Sequence, residues 1–165
     1  MSLAALKLIA FRAIAFAGTM IMSVAVVGSL PKFKERRQRY FASAATSGSV
    51  YRMQLLQLAG INVNSRGATG IPLFLAAGEG QLNAVRYLLD EGADVNLRGE
   101  NGNTALTEAT YYGHASVIKE LLMRGADVNV ISIDGTPLDI ATGRNNPAVI
   151  DLLKHYGAKH ANELR

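Results

Sequence analysis

The residues best suited to acid–base or metal chemistry are three histidines, His114, His155 and His160. His155 and His160 are five apart, which does not place them on one helical face, where neighbours stand three or four apart. There is no cysteine, which excludes a thiolate nucleophile, a Cys-ligated zinc and a disulfide framework. Gly78-Glu79-Gly80 is glycine-rich, but no Lys-Ser/Thr follows and no strand is expected before it, so it is not a phosphate loop. Asp134-Gly135 lacks the alternating oxygen ligands of a calcium loop and reads as a turn. No serine, histidine and acid form a group of their own. These absences point away from catalysis and predict neither a cofactor, a metal nor a small-molecule substrate.

Charge narrows the partners. The chain has 165 residues, 17 basic and 13 acidic, for a net charge of +4. Residues 1–40 hold seven of the basic residues and only one acid, Glu35, which leaves ten basic and twelve acidic residues in 41–165. The basic excess therefore belongs to an N-terminal arm, and nucleic acid is not an expected partner of the remainder. With 49% apolar and 18% charged residues, the chain is too apolar to be intrinsically disordered.

Within the arm, Ala13 to Leu30 carries no charge. Eighteen residues of helix reach about 27 Å, close to the roughly 30 Å of a bilayer core. After Pro31 come Lys32, Lys34, Arg36, Arg37 and Arg39, interleaved with Phe33, Tyr40 and Phe41. That mixture suits lipid headgroups. The expected order is a tail over 1–12, a membrane-spanning anchor over 13–31 and a basic juxtamembrane segment over 32–40. The basic excess on the C-terminal side predicts a cytoplasmic location for residues 41–165. Two other readings compete: a cleaved secretory signal, with Ser23-Val24-Ala25 as its small-residue site, and an organelle presequence. A buried core helix fits poorly, because the run is apolar on every face.

The rest of the chain repeats. GINVN begins at Gly60, GADVN at Gly92 and Gly125, and GAKHA at Gly157, with spacings of 32, 33 and 32. Upstream lie the pairs Leu55-Leu56, Leu88-Leu89, Leu121-Leu122 and Leu152-Leu153. Further upstream lie Ala44-Ala45, Ala76-Ala77, Ala109-Thr110 and Ala141-Thr142, the last three within IPLFLAA, TALTEAT and TPLDIAT. This pattern resembles the ankyrin repeat family. The resemblance implies an all-α, helix-turn-helix solenoid with short finger turns over residues 41–160, followed by a tail at 161–165.

The residues make sense in that frame. Thr104 and Thr136 can cap first helices, Pro137 suits a first turn, and Ile71 cannot cap. Gly80 and Gly113 can end first helices in the left-handed conformation. The second helices are expected near Leu82–Glu91, Ala115–Arg124 and Pro147–Tyr156, with Val85, Leu88, Val117, Ile118 and Leu121 among their core residues. Asn145-Asn146 replaces Gly113-His114 in the last repeat. His114 reads as structural, and Asp94 and Asp127 read as turn formers.

The resemblance further implies a protein partner, bound on a concave face made of first-helix ends and fingers. The helix positions are Glu79, Glu108, Tyr111, Tyr112 and Arg144. The finger positions are Arg66, Arg98, Glu100, Asn101, Ile131 and Ile133. Tyr111 and Tyr112 stand out, because repeats two and four have glycine at the first of these positions. The expected function is a membrane-anchored, non-enzymatic interaction module or adaptor. The alternative is an exported repeat protein that inhibits, or protects against, a partner enzyme or toxin.

Overall fold

The computed structural model describes residues 31–58, 60–65 and 70–164. The chain divides into Met1–Arg37 and Gln38–Arg165, and the packing described below is that of the second unit. Among the described residues there is no strand, only an isolated bridge between Ser132 and Gly135. Their eight α-helices form four pairs: α1 Pro31–Thr46 and α2 Val50–Leu58, α3 Pro72–Gly78 and α4 Leu82–Asp90, α5 Ala105–Tyr112 and α6 Ala115–Met123, α7 Pro137–Gly143 and α8 Pro147–His155. A 3₁₀ turn at Ala161–Glu163 ends the described chain's secondary structure.

No pair is thick enough to bury its own face, so the pairs stack. First helices pack on first helices, α3 on α5 and α5 on α7; second helices do likewise, α4 on α6 and α6 on α8. The small residues Ala76, Ala77, Ala109 and Ala141, each fully buried, permit the close approach of the first row. Leu73, Leu88, Leu106, Ile118, Leu121 and Leu153 fill the space between the rows.

Local chemistry sets where each helix starts. Thr104 and Thr107 cap each other reciprocally, as do Thr136 and Asp139, so α5 and α7 begin with two of their orphan N–H groups satisfied. Ile71 offers no such bond, and α3 relies on Pro72 at its first position. The second helices each end one residue before the expected limit, because Glu91, Arg124 and Tyr156 serve as caps. Asn145 has a φ of 51° and is the one non-glycine in the left-handed region among the described residues. Asparagine tolerates that region. Asn146 then caps α8 by accepting from Val149 N at 3.3 Å. The last repeat thus keeps the turn of Gly113-His114 with other residues.

The Leu pairs do not share one register. They begin four residues before Gly92 and Gly125 but five before Gly60 and Gly157. Leu153 therefore takes the buried place of Leu121, and Leu152 stands where repeat three has Glu120. Aligned on its glycine, repeat one offers Leu56 rather than Leu55 to that place, and buries Met53 as repeat two buries Val85.

Among the described residues no helix is long and apolar enough to cross a membrane. The run Ala13–Leu30, on which the membrane-spanning reading rests, lies outside the described residues. Lys32, Lys34, Arg36, Arg37 and Arg39 all fall within α1. Of these, Arg36 and Arg39 are exposed.

Candidate partner-binding face

Tyr111 and Tyr112 end α5 and stand out from the stack, 42% and 58% exposed. Their rings meet edge to face, with centroids 5.1 Å apart. The Tyr112 ring lies against Gly78, 3.5 Å from where a Cβ would be. On the other side, Gly143 helps line a cleft of about 420 Å³ that Tyr111, Tyr112, Arg144 and Asn146 share.

Arg144 binds this cluster together. Its Nε donates to the Tyr111 carbonyl at 3.0 Å, and its guanidinium carbon stands 3.7 Å from the centre of the Tyr111 ring. That stacking is a cation–π contact. Tyr111, Tyr112 and Arg144, expected from the sequence to share a face, do come together. Glu79 is exposed at the end of α3. Glu108 is half-buried and accepts from Asn103 Nδ2 at 2.5 Å; its carboxylate lies 4.0 Å from the Cβ position of Gly78, on the Tyr112 side.

The finger residues form a second locality. Arg98, Glu100, Asn101, Ile131 and Ile133 are all exposed. Adjacent fingers are joined where Ile133 N donates to the Asn101 carbonyl at 3.0 Å. Glu100 and Asn101 line a cleft of about 290 Å³ with Ile71 and Phe74. Neither Ile131 nor Ile133 lines the cleft beside Tyr111, although Ile133 is 76% exposed. Arg66 lies outside the described residues.

Several contacts were not read from the sequence. Asn64, Asn96 and Asn129 form a ladder: each side-chain oxygen accepts an N–H one repeat on, from Asp94, Asp127 and Lys159, at 2.8 Å. Each side-chain amide donates to the carbonyl of Gly92, Gly125 or Gly157. The recurring final Asn of GINVN and GADVN was the available signal. Asp94 and Asp127 do form turns, accepting from Asn96 N and Asn129 N at 2.9 Å. Glu120, almost wholly buried, pairs with Arg86 at 2.8 Å and Arg124 at 3.1 Å, and Arg124 also holds Asp90. Its hydrogen bond from Arg86 outweighs burial and holds the carboxyl below its usual range.

His114 donates to the Gly78 carbonyl across the repeat boundary, at 2.8 Å, and is structural. His160 pairs with Asp139 at 2.6 Å. No group of three or more histidines and acids capable of holding a metal occurs among the described residues.

A family model described as ankyrin repeats, in three copies, matches residues 41–132. The α7–α8 pair lies beyond that span, where the sequence departs most from the pattern. Among curated proteins, the chain is 44% identical over 87 residues to ankyrin repeat and SAM domain-containing protein 6 of Rattus norvegicus, covering 52% of this chain and 10% of that protein. It is 35% identical over 131 residues to an ankyrin repeat-containing protein of Treponema pallidum (strain Nichols), covering 78% of this chain and 43% of that one. It is 36% identical over 86 residues to serine/threonine-protein kinase TNNI3K of Mus musculus, covering 46% of this chain and 10% of the kinase. The chain thus spans from a tenth to less than half of these relatives' lengths.

Proposed function

The chain belongs to the ankyrin repeat family, and from that premise we propose that it is a membrane-anchored adaptor that binds a protein partner through the face of its first helices and fingers. The observation that carries this reading is the exposed cluster of Tyr111, Tyr112 and Arg144 beside an open cleft. Tyrosine and arginine are the residue types enriched at binding hot spots. Here Tyr111 interrupts a column where repeats two and four keep Gly78 and Gly143, so the stack itself does not need a ring there. The uncharged run Ala13–Leu30 would hold the module at a bilayer, with Lys32, Lys34, Arg36, Arg37 and Arg39 at the headgroups and the repeats in the cytoplasm. Anchoring would confine the partner to the membrane and raise its effective concentration there. The reading includes no catalytic step, cofactor or nucleic acid.

The test is a crosslinking pull-down from membranes with the unchanged chain and with Tyr111→Ala, Tyr112→Ala. The double variant should lose about 2 kcal/mol of partner binding, roughly thirtyfold, while melting changes little. If melting falls and capture does not, the rings are scaffold and this face is not the binding face. The mass of the mature N-terminus tests the anchor: Met1 or Ser2 supports it, and a start near Val26 replaces it with an exported inhibitor or protector.

A further inference from the structure

We propose that the cleft beside Tyr111 is a carboxylate site, which seats an Asp or Glu side chain of the partner on the Arg144 guanidinium. This rests on the preceding reading of the face as the one that binds a protein.

Arg144 is the one charged residue among those described that line this cleft. Its side chain is already positioned, by the bond from Nε to the Tyr111 carbonyl and by stacking on the Tyr111 ring. With Nε committed, the two Nη groups keep their N–H donors. Among the described residues no carboxylate pairs with Arg144, whereas Arg86 and Arg124 are both matched, to Glu120 and Asp90. A planar fork held in place and lacking its acid fits a carboxylate bidentately and loses little freedom on binding it. The aromatic walls add to the attraction by displacing water from beside the charges.

Asn146 supplies a second donor. Val149 N donates to its side-chain oxygen, which identifies that atom as the acceptor and leaves the amide nitrogen toward Gly113, on the cleft wall. The other cleft, between fingers, has the opposite character: its one charged lining residue among those described is Glu100. A partner carboxylate is therefore attracted to one cleft and repelled from the other.

The experiment pans the full chain, solubilised in detergent micelles, against a displayed library of random dodecapeptides. The expected result is a recovered set enriched in Asp or Glu at one position. Its recovery should fall by about tenfold or more with Arg144→Gln, as for loss of a charged hydrogen bond. Arg144→Lys, which keeps the charge without the fork, should fall between, and Lys119→Gln, which removes an exposed charge from α6 in the second-helix row, should retain the set. Equal melting temperatures for the variants confirm that the fold is intact. A recovered set without acidic bias, or one that Arg144→Gln retains, overturns the proposal. If such a set is still lost on Tyr111→Ala, Tyr112→Ala, the partner-binding face stands and only its carboxylate preference fails. If no peptide is recovered, or binding is indifferent to both substitutions, the two readings fall together.

Discussion

The imidazole of His114 occupies the space above Gly80, so closely that a Cβ on that glycine would come within 2.7 Å of Nδ1. The same ring donates from Nε2 to the Gly78 carbonyl at 2.8 Å. A carbonyl only accepts, so Nε2 carries the hydrogen. The relationship recurs along the stack: Gln81 stands over Gly48, and Asn146 over Gly113. All three glycines have positive φ. Each repeat is thus keyed to the one before it by a polar side chain placed on a left-handed glycine.

That pairing separates two costs of substitution. Gly92 also has positive φ, of 83°, but nothing lies within 4 Å of its Cβ position. Gly92→Ala should therefore cost only backbone strain, about 1 kcal/mol. Gly80→Ala adds the collision with His114 and should cost about 2–3 kcal/mol. Urea denaturation of both variants checks the difference, and equal losses would mean that the ring does not hold its place.

Glu120 gives a second test. The column it belongs to holds Leu55, Tyr87 and Leu152 in the other repeats, when aligned on the following glycine. Glu120→Ala removes the acid that two arginines share and should destabilise the stack by about 1 kcal/mol, allowing for the arginines' exposure. Glu120→Leu should recover most of that loss by restoring the apolar residue the column otherwise carries. Thermal melts of the two variants, compared with the unchanged chain, decide the order.

Much of this fold is legible in the sequence, because the period exposes it. The recurring glycines, the alanine pairs and Thr104 and Thr136 place the helices and their caps to within about one residue, and local chemistry alone fixes them. The Leu-pair register misleads, because two adjacent leucines at helix ends satisfy the pattern in either of two offsets. Contacts that join residues about thirty apart are hidden for a different reason. The Asn64–Asn96–Asn129 ladder and the Glu120 ion pairs depend on how one repeat sits on the next, which no single repeat states. The site shows the same split. Tyr111 and Tyr112 stand out as departures from the period, while the stacking of Arg144 on Tyr111 and the part of Asn146 emerge only from packing.

Asp139 makes stability depend on acid pH. Burial pushes its carboxyl up, but bonds from Thr136, His160 and Ala161 outweigh that and hold it at about 2, below its usual value of 3.8. A folded-state value below the unfolded one stabilises above the unfolded value and loses that stabilisation as pH falls toward the folded one. The contribution is on the order of 1–2 kcal/mol at neutral pH and should vanish between about pH 4 and pH 2. Urea midpoints of the unchanged chain and Asp139→Asn should differ at pH 7 and converge across that window. A difference that persists unchanged at pH 2 would show that the bonds do not depend on the charge.

The most direct test of the partner-binding face places a photo-crosslinking amino acid at Tyr112 of the full chain in membranes of its own cell. Met123, equally exposed but on the second-helix row, serves as the comparison position. A discrete adduct from position 112 and none from 123 is the predicted result. An adduct from 123 alone would contradict the assignment of the binding face.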